Sequence, residues 1–280
     1  MSDRQAWDAE LASLLKNIYR CADRSSWYSS VADAYDRTRP RYPAKILARM
    51  QEIARLQPGK SVLEIGAGPG IASIELAKLG AQLVCLEPSL AACELARIKC
   101  AAYPNVEFIA TTFEEWDIAE LNFDAVVAAT SFHWVVPEVR TIKTAAALKD
   151  NGLLILLWNT PPQPSYEVFQ SLVGVYQNYA PELAKYEENH NYAKNLAKIG
   201  EEAINSGYFQ NVTSEELISK VTYSIDDYLT LLSTLSPYIN LEPKQRDLLL
   251  TELKRVLEFN YGNNKLRLSY LSRLQIVSKI

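Results

Sequence analysis

Between Ser61 and Trp158 five short apolar runs alternate with stretches that read as helix, and this alternation constrains the fold more than any other feature of the sequence. The runs are SVLEI (61–65), AQLVCLE (81–87), VEFIA (106–110), FDAVVAA (123–129) and GLLILLW (152–158). Between them lie IASIELAKLG from Ile71, LAACELARIKCAA (90–102) and a helical stretch through 145–148. Runs that are apolar throughout, rather than on alternate residues, suit strands covered on both faces. Strands separated by helices imply right-handed βαβ crossovers and a parallel sheet. An α/β, doubly wound, Rossmann-like sheet is therefore expected.

The flanks are different in kind. WYSSVADAYDRTRPRYP (27–43) and the amphipathic AKILARMQEIARL (44–56) precede the first strand, and the Pro-rich TPPQP (160–164) follows the fifth. A tyrosine-rich helical region then runs from Tyr166 to about Gly207, with a strand expected near 212–223. Helices are expected over about 225–235 and 243–259, where Leu249, Leu253, Val256 and Leu257 keep a helical period. KLRLSYLSRLQIVSKI at the end alternates like a strand. This divides the chain into a helical lid (1–43), an α/β core (44–160), a helical cap (161–210) and a closing segment (211–280) that completes sheet and pocket.

Composition narrows the function. The chain is 48% hydrophobic and 22% charged, which is ordinary for a globular fold. Its 29 Lys and Arg against 33 Asp and Glu give no general basic face, so a nucleic-acid partner is not expected. The arginines at 37, 39 and 41 are a local exception, read as solvated or ligand-facing. No apolar run approaches a membrane span, and the charged first twenty residues lack a leader's apolar centre. A cytoplasmic protein with no membrane partner is the expectation. Cys21, Cys85, Cys93 and Cys100 show no metal-binding or disulfide spacing, so no metal is expected.

The chemistry is concentrated in VLEIGAGPG (62–70). A strand delivers the chain to Gly66, Gly68 and Gly70, and helix follows. Glycine suits a backbone that must turn sharply and approach a ligand without a Cβ, and the helix start adds unpaired N–H groups. The spacing is not that of a dinucleotide fingerprint, because Ile71 stands where the third glycine would be required and Pro69 leaves less room for a diphosphate. Glu87 closes the second strand, where a carboxylate accepts hydrogen bonds from both hydroxyls of a ribose and repels a ribose phosphate.

VLEIGAGPG, LEP (86–88) and FDAVVAATSFHWV (123–135) resemble the class I S-adenosylmethionine-dependent methyltransferases, in the small-molecule branch that includes trans-aconitate methyltransferase. The resemblance covers about residues 27–158. It implies a seven-stranded sheet with the last strand antiparallel, S-adenosylmethionine as cofactor, and methyl transfer to a small-molecule carboxylate, hydroxyl or amine. Position by position it places Glu64, Gly66, Ala67, Gly68 and Gly70 along the methionine half, and Glu87 and Pro88 at the ribose. Thr112, Phe113 and Glu114 fall where the family contacts adenine, although many members carry Asp at the position of Thr112. Thr130 approaches the methionine moiety, and Tyr35, Arg39 and Tyr42 correspond to the lid. Tyr35 is the cofactor candidate among the lid tyrosines, and Arg39 either pairs with a carboxylate or only packs the lid.

His133, at the carboxyl end of the fourth strand, acts as general base, donates a hydrogen bond to substrate, or fills the wall. Trp134 forms an apolar wall or a cation–π surface beside a sulfonium. Tyr166, Tyr176, Tyr179, Tyr223 and Tyr238 suggest an aromatic substrate pocket, with Tyr223 the named candidate. Three alternatives remain open: a nicotinamide-dependent oxidoreductase, a methyltransferase acting on protein or nucleic acid, and a cofactor-binding module without turnover. The proline–aromatic tetrapeptide of base amino-methylating enzymes is absent after the fourth strand, where TSFHW stands instead. The oligomeric state is open.

Overall fold

The computed structural model describes residues 24–118, 122–262 and 265–280. The leader expectation and Cys21 fall outside them. Two helices come first, α1 (Arg24–Thr38) and α2 (Ala44–Ala54). The expected alternation follows: β1 (Ser61–Ile65), α3 (Ser73–Ala77), β2 (Gln82–Leu86), α4 (Leu90–Cys100), β3 (Val106–Ile109), β4 (Phe123–Ala129), α5 (Pro137–Ala147) and β5 (Leu148–Asn159). The remainder is β6 (Gln163–Pro164), α6 (Tyr166–Tyr179), α7 (Asn189–Asn205), β7 (Phe209–Tyr223), α8 (Ile225–Ser233), α9 (Ser236–Ile239), α10 (Pro243–Tyr261) and β8 (Leu266–Lys279).

The sheet runs β3-β2-β1-β4-β5-β8, parallel through β5, with β8 antiparallel to both β5 and β7. It has eight strands rather than the seven expected. The extra one, β6, is a two-residue pairing with Ser269 and Leu268 that continues β5's side of β8, one residue out of register. Pro-rich chain after Asn159 interrupts the β5 ladder because proline donates no N–H, and the edge resumes past it.

Alternation along each strand builds two cores. Val62, Leu83, Cys85, Val127, Ile155 and Leu274 face α2, α3 and α4, meeting Ile46, Met50, Leu76, Cys93, Ala96 and Cys100. Leu63, Ile65, Leu86, Val126, Ala128 and Leu156 face the other way, against Phe132, Ala145 and Ala203. Both cysteines of α4, Cys93 and Cys100, are packing residues of the first of these cores. A third cluster joins α6, α8 and α10 to Leu266 and Leu268 at the start of β8.

Helix starts follow their capping residues. Ser89 accepts from Ala92 N before α4, and Ser224 accepts from Asp227 N before α8, whose first turn carries Asp226 and Asp227. Against expectation, the helix after the glycine loop does not begin at Ile71. It is one five-residue segment, because the bonds that follow it, Leu79 N to Leu76 O and Gly80 N to Ala77 O, span three residues and tighten the turn.

Candidate active site

At the carboxyl ends of β1, β2, β4 and β5 lies a cavity of about 620 Å³, inside the range of small-molecule sites. Open parallel sheets bind ligands at this end. Its floor is the turn after β1. Gly66 has φ of 66°, and a Cβ there would stand 2.7 Å from Ser131 Cβ, so only glycine lets the end of β4 close over the turn. Ser131 seals the contact by donating its hydroxyl hydrogen to Ile65 O. Gly68 has φ of 55°, and a Cβ on it would meet no protein atom within 4 Å. The bare backbone at Gly68 therefore faces open space at the cavity wall. Gly70 serves packing instead: a Cβ on it would lie 3.0 Å from Ala96 Cβ, so it lets α4 approach closely and does not line the cavity.

Glu87 is fixed before any ligand arrives. Its Oε2 accepts from Gly68 N and its Oε1 from Ser89 N, each at 2.8 Å. Burial raises its pKa, while the two N–H groups act in the opposite direction. Each carboxylate oxygen has two acceptor positions, so one on each stays available for a pair of hydroxyls. Glu64 is placed differently from the sequence reading. It does not line the cavity; it is fully buried, and Oε2 accepts from Ser73 Oγ at 2.5 Å and from Cys85 Sγ at 3.3 Å. Burial pushes its pKa up to about 7. One residue before the strand's end, its side chain turns into the helix layer rather than upward.

Of the residues expected from sequence, Tyr35, Arg39, Gly66, Ala67, Gly68, Glu87, Pro88, Thr112, Phe113, Glu114, Thr130 and Trp134 all line the cavity. Thr112 caps the turn after β3 by accepting from Glu115 N at 3.1 Å, and its hydroxyl donates to Glu115 Oε2 at 3.1 Å. Glu115 also lines the cavity, so a carboxylate is present beside Thr112 although the position itself carries none. Glu114 accepts from Val136 N at 2.8 Å, tying this turn to the segment after β4.

Thr130 has φ of 60°, which is strained for a β-branched residue. Three contacts hold it there: Thr130 N donates to Leu157 O at 2.7 Å, its Oγ1 accepts from Asn159 N at 3.2 Å, and that oxygen lies 2.8 Å from Tyr42 Oη. Tyr42 and Asn159 both line the cavity. Asn159 is a lining residue that the sequence reading misses, although it closes a strand at the end where ligands bind. Its side chain donates to Pro40 O at 3.1 Å and accepts from Ser272 Oγ at 2.6 Å.

The segment 38–42 forms a strap over the cavity, fastened at every residue. Tyr223 donates to Thr38 O, Arg39 donates to Thr234 Oγ1 and O at 3.2 and 3.0 Å, Asn159 holds Pro40, Tyr270 donates to Arg41 O at 3.3 Å, and Tyr42 meets Thr130. The Arg39 guanidinium also lies over the Tyr35 ring, 4.5 Å from its centroid. Among the described lining residues Arg39 is the only cation, alongside three acids, Glu87, Glu114 and Glu115.

Two substrate candidates are not brought to the cavity. His133 sits on the turn Phe132–Trp134 behind the wall, its ring 4.9 Å from Trp134 and 5.5 Å from Trp158. Burial, with Arg140 and Arg39 nearby, pushes its pKa down to about 4. A base that weak at neutral pH is poorly matched to proton abstraction. Tyr223 does not line the cavity either; it acts on the strap from outside. Nor do the other tyrosines build a pocket: Tyr176 and Tyr238 are hydrogen-bonded to each other at 2.7 Å inside the third cluster. No residue beyond Asn159 lines the cavity among those described, so the closing segment shapes it only through the strap.

Among the described residues there is no group of three or more metal-ligating side chains, and no helix is long and apolar enough to cross a membrane.

Similarity to known proteins falls on the same part of the chain as this geometry. Residues 62–152, from β1 into β5, match the sequence model of a methyltransferase domain. An uncharacterised methyltransferase of Mycobacterium tuberculosis is 32% identical over 138 residues, covering 49% of this chain and 54% of the relative. A demethylmenaquinone methyltransferase of Clavibacter sepedonicus is 28% identical over 171 residues, covering 58% and 67%. The chain spans about half the length of the first of these relatives. A solved structure described as a putative type II methyltransferase from Anaeromyxobacter dehalogenans superposes with a TM-score of 0.59 at 20% identity, covering 85% of this chain and 97% of that one, and so shares the fold. Residues 62–152 of this chain are thus similar to a methyltransferase domain, and they lie in a sheet that shares the fold of that structure.

Proposed function

We propose that the chain transfers a methyl group from S-adenosylmethionine to a small molecule enclosed in the cavity. One observation carries this reading: a loop bared at Gly68 and a carboxylate, Glu87, pre-set by that loop's own N–H, share one cavity wall. The residues fit the cofactor. Glu87 keeps an acceptor position on each oxygen for the ribose, Phe113 and Glu115 flank the adenine position, and Gly66 and Gly68 admit the methionine half. Arg39 has donors left after binding Thr234, and these receive a carboxylate, of the methionine or of the acceptor.

The cofactor, when bound, supplies an already activated methyl group on a sulfonium. What remains for this chain is to orient the acceptor and keep water away, which accounts for much of the rate in such a transfer. Tyr42, Thr130 and Asn159 form a hydrogen-bonded corner that fixes the wall, and Trp134, Val135 and Val136 add apolar lining. The cavity's cover by the strap favours a small acceptor over a macromolecular one, and the similarity to a demethylmenaquinone methyltransferase is compatible with this.

Calorimetry with S-adenosylhomocysteine tests the cofactor, and labelled methyl transfer to carboxylic acids, phenols and amines tests the acceptor. Micromolar binding followed by labelling of one class is expected. Absence of binding by the folded protein removes the reading; binding without transfer to any acceptor reduces it to a cofactor-binding module.

A further inference from the structure

β7 is a fifteen-residue strand, and among the described residues it pairs only with β8. Its other edge meets no partner strand among them. Which backbone groups face that edge follows from β8. Leu271 exchanges its backbone hydrogen bonds with Thr160, on the β5 side of β8: Thr160 N donates to Leu271 O, and Leu271 N donates to Thr160 Oγ1, both at 2.9 Å. Neighbouring residues of a strand face opposite edges, so Ser272, Tyr270 and Leu268 face β7, where they pair with Leu217, Ser219 and Val221. The N–H and C=O groups of Ser214, Glu216, Ile218, Lys220 and Thr222 therefore point outward. All five residues are exposed, and Ile218 is 58% accessible, high for so large an apolar side chain.

We propose that this edge pairs with the same edge of a second copy of the chain, antiparallel about a two-fold axis at Ile218, making one continuous sheet. In that register Ile218 meets Ile218 of the second copy, and Glu216 lies directly opposite Lys220 of the second copy, twice. Centring the axis on Glu216 or on Lys220 instead sets like charges opposite each other, which is destabilising. The outward backbone groups have the same parity as the axis residue, so the five positions exchange about ten hydrogen bonds. A lysine on an exposed edge usually discourages such pairing; here the two-fold axis brings it a counter-charge. Helix α7 packs on one face of β7 and β8 and α2 on the other, so neither covers the edge. A closed two-fold contact also ends further growth of the sheet at this strand.

Sedimentation velocity on the full chain at tens of micromolar tests this. The unmodified protein is expected to be a dimer. K220E and E216K alone are expected to be monomers, and an equimolar mixture of the two to return to dimer, because both opposed positions then carry opposite charges. Glu216 also pairs with Arg273 within the chain. Should E216K fail to fold, I218D, which sets two aspartates against each other at the axis, replaces it and is expected to be monomeric. A monomeric unmodified protein, a dimeric K220E or I218D, or a mixture of two folded variants that stays monomeric would overturn the proposal. None of these residues lines the cavity, so S-adenosylhomocysteine affinity serves as the control for folding.

Discussion

Replacing Gly68 by alanine separates a ligand-facing backbone from a merely structural turn. At φ of 55°, an L-residue costs about 1–2 kcal/mol. The reduced freedom of the unfolded chain returns about 0.4–1 kcal/mol of that. No protein atom lies within 4 Å of the new Cβ, so no packing penalty is added. The N–H that Glu87 accepts is kept. The net loss is about 1 kcal/mol, a fall of roughly 2–4 °C in Tm for a chain of this order of size. Ligand affinity should suffer far more, because the methyl occupies the space where a ligand must touch bare backbone. A loss of at least tenfold, about 1.4 kcal/mol, is expected. Gly66→Ala is the contrast: its Cβ stands 2.7 Å from Ser131 Cβ, so stability itself should collapse. Differential scanning calorimetry and titration with S-adenosylhomocysteine measure the two quantities. A Gly68→Ala protein that binds within twofold of the parent would refute the assignment of this turn to the cofactor.

Three further outcomes are expected. Glu87→Gln sets an amide NH₂ against one of the two N–H groups that the carboxylate receives, so stability should fall by about 1–3 kcal/mol and cofactor affinity with it, both read by the same titrations. Glu64 resists ionisation in the folded state, with a pKa of about 7 against 4.5 in the unfolded chain. The unfolded chain therefore loses its proton first, and stability contributed by this group falls as pH rises from 4.5 to 7, by up to about 3 kcal/mol. Denaturant titrations should show Glu64→Gln gaining on the parent across that window, and a constant gap would count against a buried, protonated Glu64. His133→Gln should leave turnover within a few-fold and should not remove any limb of the pH–rate profile near 6.5, since the imidazole is already neutral there; a lost limb would restore it as a base.

What the sequence discloses here is local. The apolar runs, the glycine turn and the acid closing β2 are each contained in a few consecutive residues, and the structure sets all three around one cavity. Contacts across long separations leave no such trace. Nothing near Tyr42 announces Thr130, 88 residues on, nor does Arg39 announce Thr234. Glu64 departs from its expected place because a strand's alternation decides which layer a side chain enters, and the motif alone does not report it. The tyrosines mislead for a related reason. A phenol that finds another phenol, as Tyr176 finds Tyr238, is satisfied inside a core and needs no ligand. Asn159 is the instructive omission, since its place just past an apolar run meets the same criterion that singles out Thr130.

The strap over the cavity has a consequence for where this protein can be cut. Floor and roof are encoded at distances that no compact segment spans: the bound nucleoside would rest on residues 62–152, while the knots that hold the cover come from Tyr223, Thr234, Tyr270 and Ser272. A fragment of those residues alone would lack the strap and most of β5, and would leave the flank of β4 bare where Leu153–Leu157 had paired. The stretch that matches a known domain and the stretch that roofs the cavity are, in this chain, different lengths of polypeptide.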